Sequence, residues 1–148
     1  MPILLVLSDL LFRSRIDQVA RGVGLELRVA RSAEQLERQL ARGAPALAIV
    51  DLETDALDPA AAIRRLRALP GGGALPIVAY AGHTNTAAIE AGRAAGAGLV
   101  LARSAFVARL PALLARVAEE EGAGGPRAPG DDAAPAAGPD SPPSPPPT

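Results

Sequence analysis

The 148-residue sequence carries a formal net charge of -1, contains no cysteine and has a single histidine, His83. The near-neutral charge disfavours binding to nucleic acid or acidic membranes by bulk electrostatic attraction, and the cysteine and histidine counts exclude disulfides and multi-histidine metal sites. Hydrophobic residues make up 49% of the chain but aromatic residues only 2%, so a core must be built mainly from Leu, Ile and Val.

The start of the chain alternates apolar runs with a helical pattern. Residues 3–7 form a short run of Ile, Leu and Val that predicts a first strand. The apolar spacing of residues 11–19 predicts a helix, which Gly22 and Gly24 then end. A second apolar run at 25–30 predicts the next strand.

The middle of the chain repeats this alternation with clear helix-start signals. Ser32 and Gln35 have the spacing of a capping box and predict a second helix. Residues 46–52 predict a third strand. Asp58 followed by Pro59 is typical of an N-cap and the first position of a helix, and so predicts the third helix.

The last part of the pattern begins after the Pro-Gly-Gly-Gly segment at 70–73, which ends the third helix. Residues 75–81 predict the fourth strand and residues 84–95 the fourth helix. Residues 99–102 predict the fifth strand, after which we expect Ser104 to cap a fifth helix.

Strands that alternate with helices imply βαβ units with right-handed crossovers. Near-continuous apolar strands are typical of a parallel sheet covered on both faces. The sequence therefore predicts an α/β domain over residues 1–121: a (βα)5 doubly wound parallel five-stranded sheet with the flavodoxin-like strand order 2-1-3-4-5.

Residues 122–148 differ in composition from the rest of the chain. They are rich in Pro, Gly and Ala and contain no Leu, Ile, Val or aromatic residue. Such a segment cannot bury enough apolar surface to offset the entropy lost on ordering. We predict a disordered tail, and a solvated tail without a ligand is favoured over a docking segment.

Targeting and membrane signals are weak along the whole sequence. No segment reaches the roughly 18 consecutive apolar residues of a membrane span. The first ten residues lack the basic region of a signal peptide. We therefore expect a cytoplasmic protein that does not enter the membrane.

In an open parallel sheet, function sits at the carboxyl ends of the strands. After the first predicted strand, Ser8 and Asp9 offer one hydroxyl and no glycine, so neither a flavin phosphate loop nor a GxGxxG turn is present. A Walker A motif is also absent, since the chain has no lysine. A small flavodoxin-like nucleotide-binding protein or enzyme remains an alternative without a recognisable phosphate loop.

Three segments together resemble the receiver domain of bacterial response regulators (CheY-like). Residues 46–53 are similar to the third receiver strand, which ends in its phosphoacceptor aspartate, here Asp51. Residues 75–81 are similar to the fourth strand, and residues 96–106 to the stretch that enters the fifth strand and its lysine-proline turn. The resemblance covers residues 3–118.

The resemblance implies a phosphorylation site in which several residues depart from the receiver pattern. Its acidic pair falls on Leu7 and Ser8, with Asp9 one residue further on. Its Thr/Ser position is Ala81, and its lysine, which pairs with the phosphoryl group, is Arg103. The proline that follows that lysine is replaced by Ser104, and its switch aromatic by Val100.

These departures favour a pseudo-receiver: a stand-alone signalling module, not an enzyme, that acts by protein–protein interaction without Mg²⁺ or another cofactor. The degenerate pocket consists of Ser8, Asp9, Glu53, Ala81 and Arg103 around the phosphoacceptor-equivalent Asp51. The resemblance implies a histidine kinase or an output protein as partner, docked on the face formed by the fourth helix, fifth strand and fifth helix. A homodimer through the fifth helix is a further expectation, and neither nucleic acid nor membrane is expected as a partner.

Alternatives remain for individual residues. Asp51 is either a phosphoacceptor and weak metal ligand, with Asp9 and Glu53 helping to hold the metal, or a loop carboxylate that pairs with Arg103. Asp9 is equally consistent with a helix N-cap. Glu53, with its acidic neighbours in the same loop, is interpreted as solvated, and His83 as a surface loop residue.

Two further interpretations concern packing and surface charge. We interpret Tyr80 as a packing residue and not as a switch. The arginines at 64, 65 and 67 are interpreted as a solvated helix face and not as a nucleic-acid patch.

Overall fold

A computed structural model describes residues 2–124. Five strands and five helices alternate along this part of the chain. The elements are β1 (Ile3–Val6), α1 (Leu10–Gly22), β2 (Leu27–Ala30), α2 (Ala33–Ala41), β3 (Leu47–Asp51), α3 (Pro59–Arg67), a 3-10 turn (Gly72–Ala74), β4 (Ile77–Ala81), α4 (Thr86–Ala95), β5 (Leu99–Ala102) and α5 (Arg103–Gly124).

All strand pairs are parallel, and the sheet order is β2-β1-β3-β4-β5, which confirms the predicted flavodoxin-like topology. The register places Asp51 of β3 beside Tyr80 of β4, and Tyr80 beside Leu101 of β5. The carboxyl ends of the central strands therefore meet at one edge of the sheet, where the predicted site residues follow them.

The sheet separates two hydrophobic cores, because alternate side chains of each strand point to opposite faces. Ile3 and Leu5 of β1 pack with α1 and α5, whereas Leu4 and Val6 pack on the side of α2, α3 and α4. Helix α5 contributes a buried stripe at helical spacing: Phe106, Leu110, Leu114 and Val117.

Most predicted helix starts are confirmed, and one is wrong. The Oγ of Ser32 accepts the N–H of Gln35, and the Oδ1 of Asp58 accepts the N–H of Ala60 and Ala61. Helix α4 is capped by Asn85 and begins at Thr86, two residues after its predicted start at 84. Ser104 is not an N-cap, because α5 begins at Arg103 directly after β5.

The three arginines of α3 do not form one solvated face. Arg64 is exposed, and Arg65 makes a two-point ion pair with Glu37, with N···O distances of 2.7 and 2.9 Å. Arg67 is half-buried and donates to the backbone carbonyls of Gly72, Leu75 and Gly96. The prediction is therefore wrong for Arg67, whose guanidinium joins the α3–β4 and α4–β5 connections at the amino end of the sheet.

Helix α5 extends to Gly124, and residues 125–148 of the predicted tail lie outside the described residues. Within residues 2–124, no helix combines the length and the apolar character that a membrane crossing requires.

Candidate functional site

Asp51 ends strand β3 and is 6% exposed. Its Oδ1 accepts the backbone N–H of Glu53 at 2.9 Å, which turns the chain tightly after the strand. Burial raises the pKa of the Asp51 carboxyl above its usual range, and the Glu53 N–H and the Arg103 cation offset only part of this effect. Asp51 is thus a buried carboxylate at the carboxyl end of the central strand, in the middle of that edge of the sheet.

The residues after β1 bring one carboxylate near Asp51, that of Asp9. Leu7 is 1% exposed and belongs to the core. The Oγ of Ser8 lies 3.2 Å from the Oγ1 of Thr54, so it ties this loop to the β3–α3 loop. The Oδ1 of Asp9 accepts the N–H groups of Leu11 and Phe12 at 3.0 and 3.1 Å. Of the two interpretations of Asp9, the structure favours the helix N-cap.

Glu53 is exposed, as predicted, but its carboxylate is held by hydrogen bonds from Gly82, Asn85 and Arg103. Its Oε1 accepts the backbone N–H of Gly82 at 3.0 Å and the Nη2 of Arg103 at 2.9 Å. Its Oε2 accepts the Nδ2 of Asn85 at 2.8 Å. These hydrogen bonds, led by those from Asn85 and Gly82, hold the pKa of the Glu53 carboxyl below its usual range. Glu53 therefore joins the loops that follow β3 and β4 to the first residue of α5.

Arg103 opens α5 at the end of β5, where its guanidinium reaches back over the site. Its Nη2 lies 3.9 Å from the Oδ1 of Asp51, so the predicted pair exists at the outer limit of ion-pair distance. The shorter contact, 2.9 Å, is with Glu53. Because Arg103 has one close acidic partner and one distant one, Glu53 sets its position more strongly than Asp51.

Two aromatic rings form a platform for the guanidinium of Arg103. Its Cζ lies 5.8 Å from the ring centroid of Phe12 and 5.7 Å from that of Tyr80, which is within the range of cation–π attraction. Tyr80 in turn stacks on Phe106 at 4.6 Å between centroids. A planar guanidinium suits this platform better than an ammonium group would.

Tyr80 is fully buried, in agreement with its predicted packing role. Among the described residues its hydroxyl has no hydrogen-bond partner, and burial raises its pKa well above the usual range. Val100, to which the resemblance assigns the position of the receiver's switch aromatic, packs in the other core, on the side of α3 and α4.

The β4–α4 loop, residues 82–85, completes the site. Ala81 is buried at the end of β4 and carries no hydroxyl. His83 is exposed, as predicted, and lines a groove beside the site. This groove has a volume of about 540 Å³ and is lined by Phe12, Arg15, Gly82, His83, Arg103, Ser104 and Val107.

Two participants were not predicted from the sequence. Thr54 is 8% exposed and bonds to Ser8, and Asn85 both caps α4 and donates to Glu53. Asn85 stands just before a helical pattern, which is a cap signal, but the sequence does not show that its amide also reaches Glu53. Within residues 2–124, no three Asp, Glu, His or Cys side chains converge into a group that could hold a metal.

The sequence matches no family model and no curated protein. Its fold, however, is that of solved response-regulator receiver domains. It superposes with a TM-score of 0.66 on a protein from Chloroflexus aurantiacus J-10-fl that is assigned as a response regulator, at 27% identity over 80% of this chain and 99% of that one.

Two further receiver domains show the same likeness. One is the receiver domain of the sensor histidine kinase PA1611 from Pseudomonas aeruginosa PAO1, with a TM-score of 0.67 and 25% identity over 80% of this chain and 97% of that one. The other is the receiver domain of NtrX from Brucella abortus, with a TM-score of 0.66 and 23% identity over 79% and 98% of the two chains. The structure of the PA1611 domain has a magnesium ion coordinated in its active-site cleft.

Proposed function

We propose that the chain is an atypical receiver-like signalling module that acts through contact with a protein partner, without Mg²⁺-dependent phosphorylation of Asp51. The observation that carries this proposal is which residues stand at the positions of the receiver's acidic pair, close to Asp51. The positions of the receiver's acidic pair hold a core leucine, Leu7, and a serine bonded to Thr54. The nearby Asp9 is already used as the cap of α1.

The residues present do not fit a magnesium ion. Mg²⁺ requires an octahedral set of oxygen ligands, usually supplied by one or two carboxylates and by water. The receiver domain of PA1611 has such an ion in its cleft. In this chain Asp51 is buried and accepts the N–H of Glu53, and the one acidic residue between β1 and α1, Asp9, caps that helix.

The groups that would respond to a phosphoryl group on Asp51 are also changed. Ala81 cannot donate a hydrogen bond, so the hydroxyl link between such a group and the β4–α4 loop is missing. Arg103 already donates to Glu53 at 2.9 Å, at the position where the receiver's lysine pairs with the phosphoryl group. Both changes favour an output that does not depend on phosphorylation.

For the partner we propose a signalling protein, a histidine kinase or an output protein, bound to the face formed by α4, β5 and α5. Strand β5 is an edge of the sheet, and its residues are only half-buried: Leu99, Val100, Leu101 and Ala102. An edge strand flanked by two helices offers apolar side chains and unpaired backbone groups to a partner.

A metal titration tests this proposal. Mg²⁺ is added to the ¹⁵N-labelled full chain, and the amide signals of Asp51, Leu52 and Glu53 are followed by NMR. We expect no saturable shift up to millimolar Mg²⁺, with Asp51→Asn giving the same result. A saturable shift that Asp51→Asn abolishes would contradict the proposal and favour a phosphorylatable receiver.

A further inference from the structure

The Glu53 carboxylate accepts hydrogen bonds from the β4–α4 loop and from the first residue of α5. One donor is the backbone N–H of Gly82, directly after Ala81, and another is the guanidinium of Arg103 at the end of β5, at 3.0 and 2.9 Å from the same oxygen, Oε1. The receiver resemblance assigns phosphoryl-binding groups to the positions of Ala81 and Arg103. Here the Arg103 guanidinium and the Gly82 amide next to Ala81 both donate to the Glu53 carboxylate, an anion that the chain itself supplies.

Asp51 positions the Glu53 carboxylate through the backbone, and no hydrogen bond joins the two side chains. The Oδ1 of Asp51 accepts the backbone N–H of Glu53 at 2.9 Å, which fixes the turn after β3. From this turn the Glu53 side chain extends over the end of β4 to Gly82 and Asn85. The buried Asp51 therefore acts here as a positioning residue for Glu53.

The contacts continue from Glu53 into helix α4. The Nδ2 of Asn85 donates to the Oε2 of Glu53 at 2.8 Å, while its Oδ1 accepts the N–H of Ala88 at 3.1 Å. One amide group thus links the Glu53 carboxylate to the first turn of α4. Fixing this cap fixes the direction in which the chain enters the helix.

We infer that Glu53 is a built-in ligand of an anion site, and that it clamps the β4–α4 loop and the start of α4 in one position. This inference rests on the proposed function in that the clamped loop borders the face assigned to the partner. The site takes a carboxylate or a tetrahedral oxyanion, since an amide N–H and a guanidinium recognise both. With Glu53 in place, the site is filled without phosphorylation.

The test compares Glu53→Ala and Glu53→Gln with the matched variant Asp55→Ala, which removes an exposed acid from the same loop. Hydrogen exchange of the Gly82 amide is measured on the full chain, without phosphodonor or Mg²⁺. We expect Glu53→Ala to speed this exchange about tenfold, as loss of one charge-assisted hydrogen bond predicts. Asp55→Ala should leave it unchanged, and Glu53→Gln should fall between them.

Inorganic phosphate then probes the vacated site. At millimolar concentration it should slow Gly82 exchange again in Glu53→Ala and have no effect on the wild type. Wild-type exchange at Gly82 in Glu53→Ala would overturn the inference, as would a loss of protection that phosphate does not reverse. Glu53→Gln keeps the size of the side chain, so it supplies the comparison should the alanine variant fold poorly.

These results are separable from those of the metal titration. A saturable Mg²⁺ shift that depends on Asp51 would remove the proposed function and leave the exchange result as it stands. Unchanged exchange at Gly82 would remove the clamp, while the positions of the receiver's acidic pair would still hold Leu7 and Ser8.

Discussion

The guanidinium of Arg103 donates to the carboxylate of Glu53 at 2.9 Å, although the two residues are 50 positions apart in the chain. The same nitrogen lies 3.9 Å from Asp51. Arg103 is therefore paired more closely with Glu53 than with Asp51. This choice of partner joins the end of β5 to the β3–α3 loop and leaves Asp51 buried with the N–H of Glu53 as its hydrogen-bond donor.

Replacing Glu53 by glutamine should change the pH dependence of stability. Its hydrogen bonds hold the pKa of Glu53 low in the folded state, so the stabilisation is present above the unfolded pKa and is lost as pH falls through the folded pKa. We expect Glu53→Gln to lower the free energy of unfolding by about 1 kcal/mol at pH 7. Urea denaturation should show the two proteins converging in acid. A difference that is the same at pH 7 and in acid would contradict this account.

Asp51→Asn should act in the opposite direction. Burial raises the folded pKa of Asp51, so its ionisation costs stability as pH rises from the unfolded pKa through the folded one, and this cost persists above. Asparagine keeps the oxygen that accepts the Glu53 N–H and removes the buried charge. We expect the free energy of unfolding to rise by about 1 kcal/mol at pH 7, with no gain below the unfolded pKa. A less stable variant at neutral pH would show that the Asp51 charge is net stabilising.

Arg103→Lys separates charge from shape at the aromatic platform. Lysine retains the positive charge but loses the planar group that lies over Phe12 and Tyr80. We expect a loss of about 0.5–1 kcal/mol for the lysine variant and about twice that for Arg103→Ala. Arg15→Ala, which removes an exposed arginine from the same groove, is the control and should change stability little. Equal stability of the lysine variant and the wild type would argue against the platform.

Arg67→Ala should destabilise the domain at the opposite end of the sheet. Its guanidinium donates to the carbonyls of Gly72, Leu75 and Gly96 at 2.7, 2.6 and 2.8 Å. Without Arg67 the half-buried carbonyls of Leu75 and Gly96 lose this donor, and Gly72 keeps the N–H of Leu75, so the change should cost about 2 kcal/mol. The exposed neighbour on the same helix gives the control, since Arg64→Ala should stay within about 0.5 kcal/mol of the wild type. Equal effects of the two variants would remove the structural role assigned to Arg67.

The fold was predictable from the sequence because apolar runs and cap signals report on local structure. The Ser32 and Asp58 caps and the order of the strands follow from such patterns. Ser104 failed as a cap because β5 passes into α5 without an intervening residue. A capping residue is recognised by type, and its type does not reveal where the strand ends.

The site was only partly predictable. The positions of Asp51, Glu53 and Arg103 after their strands predicted that they lie at one edge of the sheet. They did not predict which of the two acids Arg103 contacts more closely. That choice depends on how the turn after β3 directs the Glu53 side chain, which the N–H bond to Asp51 sets. The role of Arg67 was missed for a similar reason, because its acceptors are backbone carbonyls of other loops, which carry no sequence signature.

We propose that the module works without phosphorylation of Asp51, and the intact mass of the purified chain tests this most directly. The protein is incubated with a small phosphodonor and Mg²⁺, beside Asp51→Asn. The account predicts no phosphoryl adduct on either protein. An adduct on the wild type that is absent from Asp51→Asn would contradict it, because Asp51 would then be a working phosphoacceptor despite the loss of the acidic pair.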